Sequence, residues 1–141
     1  MKNTQNKIGE KSKIFFGMKD NNCIFCKIIN KEIPAEIIYE DENFLAFMDN
    51  NPRSAGHTQV IPKDHYRWVW EIPNAGEYFE VVKKIALAQK KAFSQEIIQG
   101  KIEGKDVPHA HFWVFPDPQS TNTEDIKNLK KNCQKIKVEI K

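Results

Sequence analysis

Two histidines, His109 and His111, alternate along an apolar segment near the carboxyl-terminal end of the sequence. The segment Val107 to Phe115 is rich in aromatic and branched residues, which favours a β-strand whose side chains point alternately to two faces. One face would carry two imidazoles and two aromatic rings, and the other would face the core: His109, His111, Trp113 and Phe115 against Ala110, Phe112 and Val114. Neutral imidazole can ligate a metal, bind phosphate or act as a nucleophile. The alternative without a function is a pair of hydrogen-bonded surface histidines.

A pair of cysteines, Cys23 and Cys26, is separated by two residues. This gap lets both thiolates bind one Zn²⁺ ion, which then needs two further nitrogen or sulfur ligands. The alternative is a thioredoxin-like redox pair, but that motif belongs to a βαβ unit and no strand shortly precedes this segment. We therefore favour a metal site. We interpret the third cysteine, Cys133, as a small apolar residue on a helix.

These residues depend on a predicted series of short strands and helices. Apolar periodicity, proline stop signals and turn residues define the elements. They are a short helix from Cys23 to Lys31, strands at 36–39, 44–48 and 57–61, a long helix from a capping box at Asn74 and Glu77 to about Gln95, a strand beginning at Ile97 and Ile98, the strand 107–115, and a terminal helix within 123–136. One long helix among strands joined by short turns favours an antiparallel α+β sheet over a parallel doubly wound one.

The long helix has an apolar stripe by which we expect it to pack on the sheet. The stripe consists of Phe79, Val82, Ala86 and Phe93, with Val81, Ile85 and Ala92 beside them.

Length and composition predict a single soluble domain. The chain has 141 residues, of which 40% are apolar and 29% charged, as in ordinary globular proteins. It contains neither a run of about 18 apolar residues nor a secretory signal, so we expect a cytoplasmic protein that does not associate with membranes. We divide it into a flexible Lys-rich arm (1–21), a domain (22–116) and a part-helical extension (117–141).

The net charge of +3 comes from lysine-rich ends of the chain. We attribute these lysines to solvated tails, because no aromatic residues are interleaved with them and no nucleic-acid-binding motif accompanies them. Nucleic-acid binding is therefore the least favoured of the functions considered.

Several stretches of the sequence, taken in order, resemble the histidine triad (HIT) family. They are C-I-F-C-K-I-I at 23–29, E-I-P-A at 32–35, F-L-A-F-M-D at 44–49, G-H-T and V-I-P-K with His65 within 56–65, and P-H-A-H-F-W-V-F-P at 108–116. The similarity covers residues 22 to 116 and implies a five-stranded antiparallel sheet with one long helix and a short amino-terminal helix. The family signature has three alternating histidines, and Trp113 stands where the third is expected.

The resemblance also implies roles for particular residues. His111 would be the nucleophile that attacks the α-phosphate of a nucleotide, while Trp113 would supply a donor that does not titrate. The implied zinc ligands are Cys23, Cys26, His65 and His109. For the nucleotide, Asp49 would accept the ribose hydroxyls, and an apolar slot for the base would be lined by Phe25, Ile28, Ile33 and Phe47. The family pattern further implies a two-fold homodimer.

We therefore predict a zinc-containing hydrolase or transferase acting on a purine nucleotide, either a phosphoramidate or a dinucleotide. The alternative is a protein that keeps the fold and the zinc but only binds or senses a nucleotide, with Trp113 stacking on the pocket or closing it.

Overall fold

The computed structural model describes residues 20–119 and 125–140. The elements are helix α1 (Ile24–Ile29), strands β1 (Ile37–Glu40), β2 (Phe44–Met48) and β3 (Thr58–Pro62), a 3₁₀ helix (Val69–Glu71), helix α2 (Ala75–Phe93), strands β4 (Ile98–Ile102) and β5 (Phe112–Pro116), and helix α3 (Leu129–Lys137). The predicted arm, residues 1–21, lies outside the described residues except for its last two.

The five strands form one sheet in the order β1-β2-β3-β5-β4, and all neighbours are antiparallel. The chain leaves β3, runs through α2 to the edge strand β4, and then returns to place β5 between β3 and β4. This arrangement confirms the predicted α+β fold. Within the described ranges, no helix combines the length and the hydropathy that a bilayer span needs.

The two faces of the sheet pack against different helices. On β2, Phe44, Ala46 and Met48 join the cluster that includes α2 and α3. The alternate residues Leu45 and Phe47 pack with α1 on the other face. Both faces of β2 are therefore buried, and the strand forms the centre of the core.

Helices α1 and α3 begin later than predicted because each has its N-cap inside its predicted range. The Cys23 thiol accepts the N–H of Cys26 at 3.4 Å, so α1 begins at Ile24. The Asn128 side chain accepts the N–H of Lys131 at 3.2 Å. Such caps satisfy amides that have no partner within the helix.

Helix α2 packs on the sheet through part of the predicted stripe, since Val81, Val82 and Ile85 are buried in the core, but the buried face also includes residues outside that stripe. Phe79 is 38% exposed, whereas Tyr78 and Gln89 are completely buried. The Tyr78 hydroxyl donates to a carbonyl of β3 at 2.7 Å. The Gln89 amide donates to the carbonyls of Gly56 and Val114 at 2.9 and 3.0 Å. Because these bonds satisfy their donors, two polar side chains are buried that hydropathy would place outside.

The capping box predicted at the start of α2 is not formed. Asn74 is the N-cap residue, but its side chain makes no capping bond. Its amide instead donates to the Glu77 carboxylate at 3.3 Å. The backbone of Asn74, with φ −101° and ψ 53°, departs from the extended conformation in which an N-cap side chain reaches the next amides.

Strand β5 begins at Phe112 rather than at Val107, so both histidines lie in the segment before the strand. Its pairing with β3 ends at Val60. Further along β3, the carbonyl of Pro62 is bonded by the His109 ring at 2.9 Å. The His109 side chain therefore occupies the Pro62 carbonyl, which a longer pairing of β3 with β5 would use. Pro62 also has no N–H to donate to such a pairing.

Gly56 is expected to be a site of strong destabilisation by alanine. Its φ of +92° is a conformation that side chains rarely adopt, and an added Cβ would overlap the Phe93 ring. We expect Gly56→Ala to lower the free energy of unfolding by about 2 kcal/mol or more. Chemical denaturation measures this change.

Gly76→Ala is the matched control. Gly76 lies in the first turn of α2, and an added Cβ would meet nothing within 4 Å. Helix propensity then predicts a gain of up to about 1 kcal/mol. Equal effects of the two substitutions would contradict the role given to the Gly56 backbone.

Candidate functional site

Four potential metal ligands from three segments of the chain converge at one end of the sheet. Cys23 and Cys26 belong to the start of α1, His65 to the loop after β3, and His109 to the segment before β5. Their ligand atoms all lie within 4.8 Å of one another. Cys23, Cys26 and His109 are buried, and His65 is half-buried.

The distances in this cluster fit a tetrahedral ion. The Cys23 Sγ lies 3.3 Å from the His109 Nδ1, and the Cys26 Sγ lies 3.4 and 3.5 Å from the Nδ1 atoms of His65 and His109. The two Nδ1 atoms are 3.0 Å apart. Bonds of about 2.3 Å to sulfur and 2.0 Å to nitrogen give tetrahedral S···N and N···N edges of roughly 3.5 and 3.3 Å. The donor set therefore has the composition and size of a zinc site.

The surroundings hold these ligands in the required protonation states. The Pro62 carbonyl can only accept, so the His109 Nε2, 2.9 Å away, carries the hydrogen and Nδ1 keeps its lone pair. Outer hydrogen bonds of this kind orient metal-binding imidazoles. Hydrogen bonds from Cys26 outweigh burial and lower the pKa of Cys23 to about 3. Its thiolate is thus available at neutral pH.

His111 is 3% exposed, and its orientation is also fixed by the backbone. Its Nδ1 lies 2.7 Å from the carbonyl oxygen of His109. Because that oxygen can only accept, Nδ1 carries the hydrogen and Nε2 keeps a lone pair. Burial lowers the pKa of His111, which favours the neutral ring. The arrangement can present an unprotonated nitrogen to an electrophile.

The apolar residues predicted to line a base slot are brought together beside His111. Phe25, Ile28 and Phe47 are buried in one cluster, and the partly buried Ile33 packs against it. The Phe25 ring meets Phe47 and His111 edge-on, with centroids 5.4 and 5.2 Å apart.

Asp49 follows β2 and is held by three neighbours. Its carboxylate accepts the N–H of Asn51 at 2.7 Å and the side-chain amide of Gln59 at 3.0 Å. The His57 Nε2 lies 3.5 Å from it. Part of the acceptor capacity predicted for a ribose is thus used within the protein.

His57 was not among the predicted site residues. It is 1% exposed, and its Nδ1 accepts the N–H of Arg53 at 3.0 Å, so its Nε2 carries the hydrogen and faces Asp49. Burial outweighs the attraction of Asp49 and lowers the pKa of His57 to about 4. The available signal was alternation along β3, which puts His57 and Gln59 on the same face as the apolar Ile61.

Trp113 lies on the same face, between two cationic side chains. The guanidinium of Arg53 is 4.6 Å and the ammonium of Lys101 5.6 Å from the ring centroid. His57 meets the ring at 5.4 Å between centroids. The indole Nε1 is buried and has no hydrogen-bond partner among the described residues.

The sequence profile of the HIT domain matches residues 30–120. A HIT-like protein of Methanocaldococcus jannaschii is 42% identical over 117 residues, which is 76% of this chain and 91% of the relative. The chain therefore belongs to the HIT family.

Two further relatives bear on chemistry. The adenosine 5′-monophosphoramidase of Saccharomyces cerevisiae is 37% identical over 101 residues, covering 69% of this chain and 63% of the yeast protein. A zinc-bound histidine triad family protein from Mycobacterium smegmatis superposes with a TM-score of 0.72 at 27% identity, covering 84% of this chain and 92% of that one.

Proposed function

We propose that this protein is a zinc-containing hydrolase or transferase that acts on the α-phosphate of a purine nucleotide, with His111 as the nucleophile. The hydrogen bond from the His111 Nδ1 to the carbonyl of His109 carries the proposal. It leaves the Nε2 lone pair as the reactive atom of a buried, neutral imidazole. The yeast relative named as an adenosine 5′-monophosphoramidase supports the substrate class.

Zinc would be held by Cys23, Cys26, His65 and His109. The near-tetrahedral spacing of their ligand atoms and the zinc-bound mycobacterial relative support this assignment. Bound there, the ion would join α1 and the loop after β3 to the segment before β5. The ion would have a structural role: by holding these three segments together, it would keep His111 in position.

The nucleotide would lie beside the face of the sheet that carries α1. The base would enter the slot lined by Phe25, Ile28, Ile33 and Phe47. The ribose would approach Asp49, whose carboxylate already has ordered partners. The α-phosphate would then face the His111 Nε2.

The reaction proceeds in two displacements. The Nε2 lone pair bonds to the α-phosphorus while the leaving group departs with the electrons of its bond. Water, or another acceptor in a transferase, then attacks phosphorus and loses its proton to solvent, while the N–P bond breaks and its electron pair returns to Nε2. Covalent catalysis of this kind divides one difficult displacement into two easier ones.

We assign Trp113 to the position of the third triad histidine. Its indole nitrogen can donate to a substrate oxygen but cannot deliver a proton. This property favours a second candidate function, in which the protein binds or senses a nucleotide without turnover and Trp113 stacks on the ligand or closes the pocket.

We further propose a homodimer located in the cytoplasm. Strand β4 is a sheet edge whose pairing in the described residues is with β5 alone, and Ile97 beside it is 54% exposed. Proteins rarely leave such an edge uncovered. Cysteine ligands for zinc require reduced thiols, which persist in the cytoplasm.

The test is AMP release by zinc-loaded protein from adenosine 5′-phosphoramidate and from diadenosine tetraphosphate, together with calorimetric titration by AMP. Turnover supports the hydrolase. Binding without turnover supports the second candidate. Neither binding nor turnover would contradict both.

A further inference from the structure

The surroundings of Trp113 have the character of an anion site. Its ring lies between the guanidinium of Arg53 and the ammonium of Lys101. Lys101 is the register partner of Trp113 on β4, and Gln59 is its partner on β3. The strand pairing thus places a cation beside the indole on the face of the sheet that carries α1.

The indole also offers a hydrogen-bond donor that nothing in the described part of the chain accepts. The Trp113 Nε1 is buried without a partner. An unsatisfied buried donor costs about 1 to 3 kcal/mol, so a ligand oxygen that accepted this bond would gain by it. The Trp113 N–H and the positive charges of Arg53 and Lys101 together could bind the oxygens of a tetrahedral oxyanion.

This group lies close in the chain to the proposed nucleophile. Trp113 is two residues from His111, so their Cα atoms are at most about 7 Å apart. A group attached to an α-phosphorus at His111 is therefore within reach of Trp113.

Two acidic side chains, Glu103 and Asp49, lie close to this group. The Glu103 carboxylate lies 3.5 Å from the Lys101 ammonium. The Asp49 carboxylate is already bonded by Asn51 and by Gln59, the partner of Trp113 on β3. Arg53 and Lys101 therefore equal these two acids in number, and both carboxylates have partners within the protein. The Lys101 side chain is 54% exposed and is free to turn from Glu103 toward an arriving anion.

We propose that Arg53, Lys101 and the Trp113 indole form a leaving-group subsite that selects nucleotides whose α-phosphate carries sulfate or a phosphate chain. This inference rests on the proposed function and specifies its substrate class. An amine leaving group needs a proton, which indole cannot supply. Sulfate and phosphate leave as stable anions, and fixed cations stabilise the charge that develops on them.

The bond changes follow from this chemistry. The His111 Nε2 lone pair forms the N–P bond, the bond between phosphorus and the bridging oxygen breaks, and the oxyanion keeps both electrons. Water then attacks phosphorus, the N–P bond breaks, the electron pair returns to Nε2, and the proton of water passes to solvent. The products are a nucleoside monophosphate and sulfate or a phosphate chain.

The experiment compares three substrates of the zinc-loaded full chain: adenosine 5′-phosphosulfate, diadenosine tetraphosphate and adenosine 5′-phosphoramidate. AMP formation gives kcat/KM for the wild type and for Lys101→Gln and Arg53→Gln. Lys83→Gln makes the same charge change on an exposed residue of α2, which packs on the other face of the sheet, and serves as the matched control.

We expect Lys101→Gln and Arg53→Gln each to lower kcat/KM by about tenfold for substrates with an anionic leaving group and by less than about twofold for the phosphoramidate. Lys83→Gln should leave kcat/KM unchanged for all three substrates. A loss with phosphosulfate alone assigns the subsite to sulfate, and a loss with the tetraphosphate alone assigns it to phosphate chains. Trp113→His, which restores a titrating group, should raise phosphoramidate turnover.

Equal losses for all three substrates, or none, would overturn the leaving-group subsite. The proposed function is tested separately, by mass spectrometry for a covalent nucleotidyl adduct on His111. An adduct together with uniform losses would overturn the inference and leave the proposed function intact. The absence of adduct and turnover with every substrate would overturn both.

Discussion

Replacing His111 by asparagine is expected to leave the protein folded and able to bind nucleotide while lowering turnover at least about a thousandfold. The asparagine Nδ2 occupies the position of the histidine Nδ1 and can donate to the carbonyl of His109, which accepts at 2.7 Å in the native chain. No atom of asparagine replaces Nε2. The variant thus removes the proposed nucleophilic atom but keeps the hydrogen bond to the carbonyl of His109.

His111→Ala removes both features and is the companion variant. His111 is buried against Phe25, so alanine leaves a space and is expected to reduce stability as well as turnover. The measurements are AMP release, calorimetric binding of AMP and thermal unfolding. Turnover of the asparagine variant within about tenfold of the wild type would exclude His111 as the nucleophile.

Replacing Cys23 by serine is expected to release zinc and to lower the free energy of unfolding by about 3 to 5 kcal/mol. A zinc ion held by the four ligands would join three segments that lie far apart in sequence, and its binding free energy would add to that of folding. Addition of a chelator to the wild type should reproduce the loss. Metal analysis and denaturation with and without zinc measure both effects.

Cys133→Ser is the control for the cysteine substitution. Cys133 is equally buried, at 4% exposure against 3% for Cys23, but it lies on α3 and its thiol donates to the carbonyl of Ile37 at 3.4 Å. Serine can make the same bond, so we expect a change below about 1.5 kcal/mol and no loss of zinc. Equal zinc content in the two variants would refute the metal assignment.

The strands, the long helix and the antiparallel sheet followed from patterns within single segments. The short apolar run of β2 and the helical period of α2 are local signals, and the structure bears them out. The metal ligands were also accessible, because the spacing of Cys23 and Cys26 suggested zinc and the family resemblance supplied His65 and His109. The structure brings these four residues together.

Features decided by bonds between segments could not be read from such patterns. The buried face of α2 depends on Tyr78 and Gln89, whose donors reach carbonyls of other segments. The start of β5 depends on a bond from the His109 ring to Pro62. Hydropathy contains no information about these acceptors. The sequence pattern therefore left Tyr78 and Gln89 out of the predicted packing face and extended β5 back to Val107.

The group around Trp113 was missed for a related reason. Lys101 reaches the indole only because β4 pairs with β5 in one particular register. Arg53 reaches it from the loop before β3. A single strand's alternation gives the face of each side chain but not its neighbour on the next strand.

His109 serves two purposes with different atoms. Its ring nitrogen belongs to the metal cluster, and its main-chain oxygen fixes the tautomer of His111. The proposed metal ligation and the orientation of the proposed nucleophile would therefore be linked through a single residue. In a double-mutant cycle, effects on turnover at Cys23 and at His111 should be non-additive, because the second substitution acts on an orientation that the first has already loosened.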